Sequence, residues 1–162
     1  MPAAMPPAVP PAVPPATETQ LVFDVADPHR MAAFWAEALH YEHEEIHDFV
    51  QGLVDAGHAP AEATVLVDGR LRWKELASIR HPADGIDERG AGTGRRILFQ
   101  LVPEPKSVKN RVHIDLRIGP EGRDAEVARL VELGATLVSE VEGPSGSWVL
   151  LHDPEGNELD VL

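Results

Sequence analysis

The most restrictive feature of this chain is that it repeats itself. In QLVFDVAD, residues 20–27, Leu21, Phe23 and Val25 alternate with Gln20, Val22 and Asp24, the period of a half-buried strand. Asp27 and Pro28 supply a helix cap and a first-turn proline. Met31, Phe34, Trp35, Ala38 and Leu39 then make one apolar helical stripe. RVHIDLRIG, residues 111–119, alternates in the same way, with Val112, Ile114, Leu116 and Ile118 opposite Arg111, His113, Asp115 and Arg117. A second helical stripe follows through Val127, Leu130 and Val131, Gly134 ends it, and ATLV reads as a strand. Strand, helix and strand thus recur in the same order. Laid on each other, Gln20 falls on His113, and Leu39-His40 falls on Leu133-Gly134.

The repeat decides how HEEIH, residues 43–47, is read. Two histidines four apart beside a glutamate can hold zinc when they share one helix. An apolar stripe continued through Ile46, Phe49, Val50 and Leu53 would supply such a helix. The second half predicts instead that the helix stops near His40, that YEHEE is a strand, and that a new helix begins near Ile46. His43 and His47 then share no helical face, and a metalloprotease is not expected.

The repeat continues to the end of the chain. Strand residues around Val65 to Val67, a turn at Asp68-Gly69 and a strand through Trp73 precede a Gly- and Asp-rich loop, residues 81–95. RRILFQLV is a strand, and SWVLLHDPEGNELDVL gives strand, turn and strand. FQLV matches LDVL, so Gln100 corresponds to Asp160, and Trp73 and Trp148 are expected in corresponding strands. The fold class is α+β: two paired βαβββ modules, residues 17–103 and 107–162, whose leftover sheet faces close a cleft. Asp24 and Arg117, equivalent under the repeat, are placed to pair across it. The first sixteen residues hold seven of the fifteen prolines and read as an extended, disordered tail, without the basic start and apolar core of a signal peptide.

Composition narrows the function. Of the 162 residues, 27 are Asp or Glu against 14 Lys or Arg, a formal charge of −13. Such a surface repels phosphate backbones, so nucleic acid is not an expected partner. With no cysteine, disulfides, zinc ribbons and thiol nucleophiles are excluded. No apolar run approaches the roughly 20 residues of a membrane helix, and the protein is expected in the cytoplasm.

The segments DVADPHRMAAFWAEALHYE, GRLRWKELASIRHP, LFQLVPEPKSVKNRVHIDLRIG, ELGATLV and WVLLHDPEGNELDVL, spread over residues 17–162, resemble the vicinal oxygen chelate superfamily. The match is to its glyoxalase-like branch, related to bleomycin-resistance proteins and dioxygenases. The resemblance implies a homodimer that binds a small molecule in its cleft. In metal-using members, one divalent ion (Zn, Ni, Mn or Fe) is held from four strands and binds two adjacent substrate oxygens. Carried over by position, its ligands here are Gln20, Gln100, His113 and Asp160. Gln100 stands where a carboxylate is usual, and Asp160 is one methylene shorter than Glu. Two readings stay open: a metal-dependent isomerase, lyase or dioxygenase, and a metal-free protein that sequesters its ligand.

Further candidates line the expected cleft. Asp24, Asp115, Arg117, Arg111, Trp73 and Trp148 are its pocket residues. Lys106, Lys109, Asn110 and Arg111 form a basic patch that either meets a ligand carboxylate or pairs with neighbouring acids. His29, His58, His81 and His152 carry no constellation. GAGTGR precedes a strand instead of a helix and is not a phosphate loop.

Overall fold

The computed structural model describes residues 19–144 and 146–162; the proline-rich segment lies outside them. Strand β1 (Leu21–Val25) and helix α1 (Pro28–Leu39) are followed by β2 (Glu42–His43) and α2 (His47–Asp55). A 3₁₀ turn (Ala61–Ala63) leads into β3 (Thr64–Val67), β4 (Arg70–Trp73), β5 (Leu76–Arg80) and β6 (Arg96–Leu101). The second half runs β7 (Ile114–Leu116), α3 (Arg123–Leu133), β8 (Thr136–Gly143), β9 (Gly146–His152) and β10 (Glu158–Val161). No helix among the described residues is long and apolar enough to cross a membrane.

Two four-stranded sheets form, β1-β6-β5-β2 and β7-β10-β9-β8. In each, the first strand of the half pairs in parallel with its last, so both halves share one strand order. The helices end alike as well. His40 and Gly134 both adopt positive φ, 54° and 115°, and the amides behind them, Tyr41 and Ala135, bond back to Ala36 and Leu130 carbonyls at 2.8 and 2.9 Å. This is the left-handed helix stop that glycine favours.

HEEIH is divided as the repeat requires, with His43 in β2 and His47 opening α2. The first-half strands differ from expectation. β3 and β4 form a separate hairpin, turned through Asp68 and Gly69, both at positive φ. The third sheet strand is β5 instead, so Trp73 and Trp148 are not in corresponding strands. The reason is burial on both faces: Ala77, Ser78 and Ile79 are all buried, which erases the alternation that marks a half-buried strand.

One core runs through both halves. Trp35, Met31, Ile79 and Phe99 from the first and Leu130, Leu151, Leu159 and Val161 from the second are fully buried. Phe23 lies 5.4 Å from Trp35 and 5.5 Å from Phe99 between ring centres, within the range of favourable aromatic contacts. Polar bonds tie the halves together. Trp35 Nε1 donates to Asp153 Oδ2 at 3.1 Å. Asp153 also accepts from the Glu155 and Asn157 amides at 2.9 and 2.8 Å, which fixes the DPEGN turn. Glu155 in turn accepts the Ala26 and Asp27 amides at 2.7 and 2.8 Å, at the start of α1.

Replacing Glu155 by Ala should cost about 1–2 kcal/mol, since two charge-assisted bonds to a helix start are lost. Gly134→Ala should cost about 1 kcal/mol, because its Cβ would meet nothing nearer than 3.8 Å and only backbone strain acts. Urea midpoints at constant slope check both.

Candidate functional site

Parallel pairing of β7 with β10 sets Asp115 opposite Asp160. His113, two residues before Asp115, points to the same sheet face. His113 Nε2 lies 3.2 Å from Asp115 Oδ1 and 3.3 Å from Asp160 Oδ2, and one donor atom from each residue falls within 4.8 Å of the others. Asp160 Oδ1 is buried with no hydrogen-bond partner. Burial, and after it the negative charge of Asp115, raise the Asp160 pKa, against the opposing pull of His113 and Lys109. A half-satisfied buried carboxylate of this kind is stabilised by a proton or a cation.

The structure brings together His113 and Asp160 and adds Asp115, which the sequence suggested only as a pocket residue. Gln20 and Gln100 belong to the other sheet. Gln20 Oε1 accepts from Arg96 Nη1. Gln100 faces a depression shared with Ala63, Trp73, Glu75 and Leu76. The register explains this. Asp24 sits opposite Gln100 and Asp115 opposite Asp160, and the Val102 and Leu162 amides bond to the Val25 and Leu116 carbonyls. Asp24 therefore corresponds to Asp115, and Val22, not Gln20, corresponds to His113. The same correction removes the equivalence of Asp24 with Arg117; among the described residues these two form no ion pair.

A groove of about 310 Å³ separates β1 from the segment entering β7. Val22 and Asp24 line one side, and Asn110, Arg111 and His113 the other. The basic segment is anchored beside it. Lys106 Nζ lies 3.1 Å from Glu158 Oε1, and the Asn110 amide donates to Glu158 Oε2 at 3.0 Å. Burial pushes the Glu158 pKa up, but these donors outweigh it and hold the group below the ordinary value. Arg117 is exposed beyond β7, and Trp148 is half-buried in β9 opposite Val141.

A second constellation was missed from sequence. Glu44, the first glutamate of HEEIH, is 2% exposed. Arg96 grips it with two parallel bonds, Nε to Oε1 at 2.6 Å and Nη2 to Oε2 at 2.8 Å. Ser78 Oγ donates at 2.5 Å and the Gly92 amide at 2.7 Å. Burial drives the Glu44 pKa up, yet Arg96, Ser78 and Gly92 together lower it below the ordinary value. The available signal was Arg96 itself, which shares strand parity with Leu98 and Gln100 and so puts a charge on the cleft face. A cavity of about 300 Å³ opens above this pair.

Paired modules of strand order first-fourth-third-second, with a His–carboxylate cluster beside the groove between them, define a protein of the vicinal oxygen chelate superfamily. The chain belongs to the family described as glyoxalase-like domain, whose model matches residues 20–162. No curated protein matches it in sequence. Among solved structures it is similar to a glyoxalase/bleomycin resistance protein/dioxygenase family enzyme from Burkholderia phytofirmans (14% identity, TM-score 0.53, 88% of this chain and 94% of that one). It is also similar to the bleomycin-binding protein of Streptomyces verticillus, solved with copper(II)-bleomycin (13%, 0.51, 92% and 97%). A third is the fosfomycin resistance protein FosX of Listeria monocytogenes, solved with Mn(II) and a dihydroxypropylphosphonic acid (12%, 0.51, 93% and 90%).

Glu44→Gln should cost about 3 kcal/mol at neutral pH, because it strands the Arg96 charge. The lowered Glu44 pKa means that the ion pair contributes fully above 4.5, the ordinary value, and progressively less as the pH falls below it. The gap between wild type and variant in denaturant midpoint should therefore narrow on acidification.

Proposed function

We propose that this glyoxalase-like protein binds a small oxygen-bearing molecule in the groove between its modules, beside one divalent ion held by His113, Asp115 and Asp160. The buried, unpartnered Oδ1 of Asp160 next to His113 and Asp115 carries this reading. One imidazole with two carboxylates is an oxygen-rich donor set that suits Mn²⁺ or Fe²⁺ better than a soft metal. The ion supplies, when bound, polarisation of adjacent ligand oxygens and stabilisation of a developing oxyanion. The chain's own residues set the frame. The β7–β10 pairing holds the three donors on one face, and Asp24 on the facing wall offers a carboxylate outside the ligand set. Isomerase, lyase and dioxygenase chemistry are all compatible with such a centre. The Mn(II) of the Listeria protein supports the metal, and the resemblance supports a cytoplasmic homodimer.

The second reading is metal-free ligand sequestration. It is favoured by Gln20 and Gln100, which are neutral and face other partners, and by the bleomycin-binding relative.

Titration of Mn²⁺, Fe²⁺, Ni²⁺ and Zn²⁺ into metal-stripped protein should give near one ion per chain. His113→Ala and Asp160→Asn should each weaken binding tenfold or more, while Gln20→Ala and Gln100→Ala leave it unchanged. Equal losses in the glutamine variants would restore the four-strand site. Absence of specific binding by all four ions would leave the sequestering protein.

A further inference from the structure

The two halves differ most in what lies between their second and third strands. β8 and β9 are neighbours in chain and sheet, with Gly143 paired to Gly146, whereas β2 and β5 are separated by α2 and the β3–β4 hairpin. These additions, with the 81–95 loop, are folded over the exposed face of the first sheet. His47 Nδ1 accepts the Leu71 amide at 2.9 Å, joining α2 to the hairpin. The hairpin is held to α1 through His29 Nε2 and the Trp73 carbonyl at 2.9 Å. The loop packs so closely that a Cβ on Gly90 would lie 2.1 Å from the Glu45 carbonyl oxygen. Beneath this roof is the cavity above Glu44 and Arg96, walled by Ile46, Phe49, Trp73, Leu76 and Leu98. A volume of about 300 Å³ is at the small end of organic-ligand sites and suits a single ring with a short substituent.

The polar floor has one replaceable contact. Arg96 spends Nε and Nη2 on Glu44 and Ser78, and Glu44 is saturated by four donors. Arg96 Nη1 instead meets Oε1 of Gln20, an exposed residue just before β1. Its amide oxygen occupies the place that a ligand oxygen would take on a pre-oriented guanidinium. The lining holds two arginines, Arg89 and Arg96, and one acid, Glu44, in a protein of net charge −13. Arg89 is at the rim, half-exposed and paired with Asp87. A cation finds no free acceptor on Glu44, and an anionic oxygen finds the one replaceable donor of Arg96, Nη1.

We propose that this pocket is a second ligand site, separate from the His113 cluster, that takes a small aromatic carboxylate. Its ring rests against Phe49 and Trp73, and its carboxylate displaces Gln20 from Arg96 Nη1. The site needs no metal.

The test is calorimetric titration of the full metal-stripped chain with phenylacetate, benzamide and benzylamine. Phenylacetate should bind saturably at one site, benzamide at least tenfold more weakly, and benzylamine not at all. Arg96→Met risks unfolding by stranding Glu44, so two gentler variants carry the test. Phe49→Ala should weaken phenylacetate tenfold or more. Gln20→Ala should hold or tighten it several-fold by removing the internal competitor. His113→Ala should bind phenylacetate as wild type does, whatever the metal titration shows. Failure of phenylacetate to bind, equal binding of benzylamine, no loss in Phe49→Ala, tenfold loss in Gln20→Ala, or loss in His113→Ala would each overturn the proposal.

Discussion

Helix α1 takes a charged group at each end from the other half of the molecule. At its start, the Glu155 carboxylate receives the amides of Ala26 and Asp27. At its end, Arg129 of α3 donates to the carbonyls of Glu37 and Ala38 at 3.1 and 2.9 Å, steadied by Glu126. Negative charge at a helix start and positive charge at its end complement the helix dipole and satisfy groups that the helix leaves open. Trp35, between them, is tied to Asp153. The position of the first sheet relative to the second follows from these contacts and the shared core, and with it the width of the groove between β1 and β7. Neither half can shift without exposing a helix end or taking the acceptor Asp153 from the buried Trp35 Nε1.

Within that frame the two sheets have diverged. Both keep one strand order, and both put polar side chains on the face away from the helices. The first sheet covers this face, and burial there demanded compensation, which Glu44 and Arg96 provide for each other. The second sheet leaves its face open. His113 and Asp115 stay partly in water, and only Asp160 sinks far enough for one oxygen to lose solvent without gaining a donor. Equivalent surfaces thus acquire different chemistry from what covers them.

The degree to which this was legible follows the period of each pattern. The repeat, the helix stops at His40 and Gly134, and the division of HEEIH could be read because they rest on local alternation and turn chemistry. The match of Gln20 to His113 failed for a reason built into strands. Side chains alternate with period two, so sliding one strand by two residues keeps every face correct while changing every partner. The β7-to-α3 connection is longer than its counterpart in the first half, and only the helix ends, not the strands, could be aligned across it. β5 was hidden because it is buried on both faces. Glu44 was unreadable as a buried group because its partners, Ser78, Gly92 and Arg96, come from distant parts of the chain.

The distribution of arginine separates the two candidate sites. In the first half, Glu42 is paired with Arg80, Glu44 with Arg96, Glu45 with Arg70 and Arg72, Asp84 with Arg95, and Asp87 with Arg89. Arg95 beside Asp84 holds that carboxyl at about 2, so the pairing persists in acid. The carboxylates at the groove, Asp24, Asp115 and Asp160, have no arginine or lysine within ion-pair distance among the described residues. Asp115 and Asp160 meet at one imidazole and repel one another, and the repulsion is largest where water is most excluded. A divalent cation relieves it more fully than a single proton on Asp160. Arg111 also lines the groove, so what distinguishes two cavities of nearly equal size is a pre-oriented guanidinium in one and an uncompensated His–carboxylate cluster beside the other.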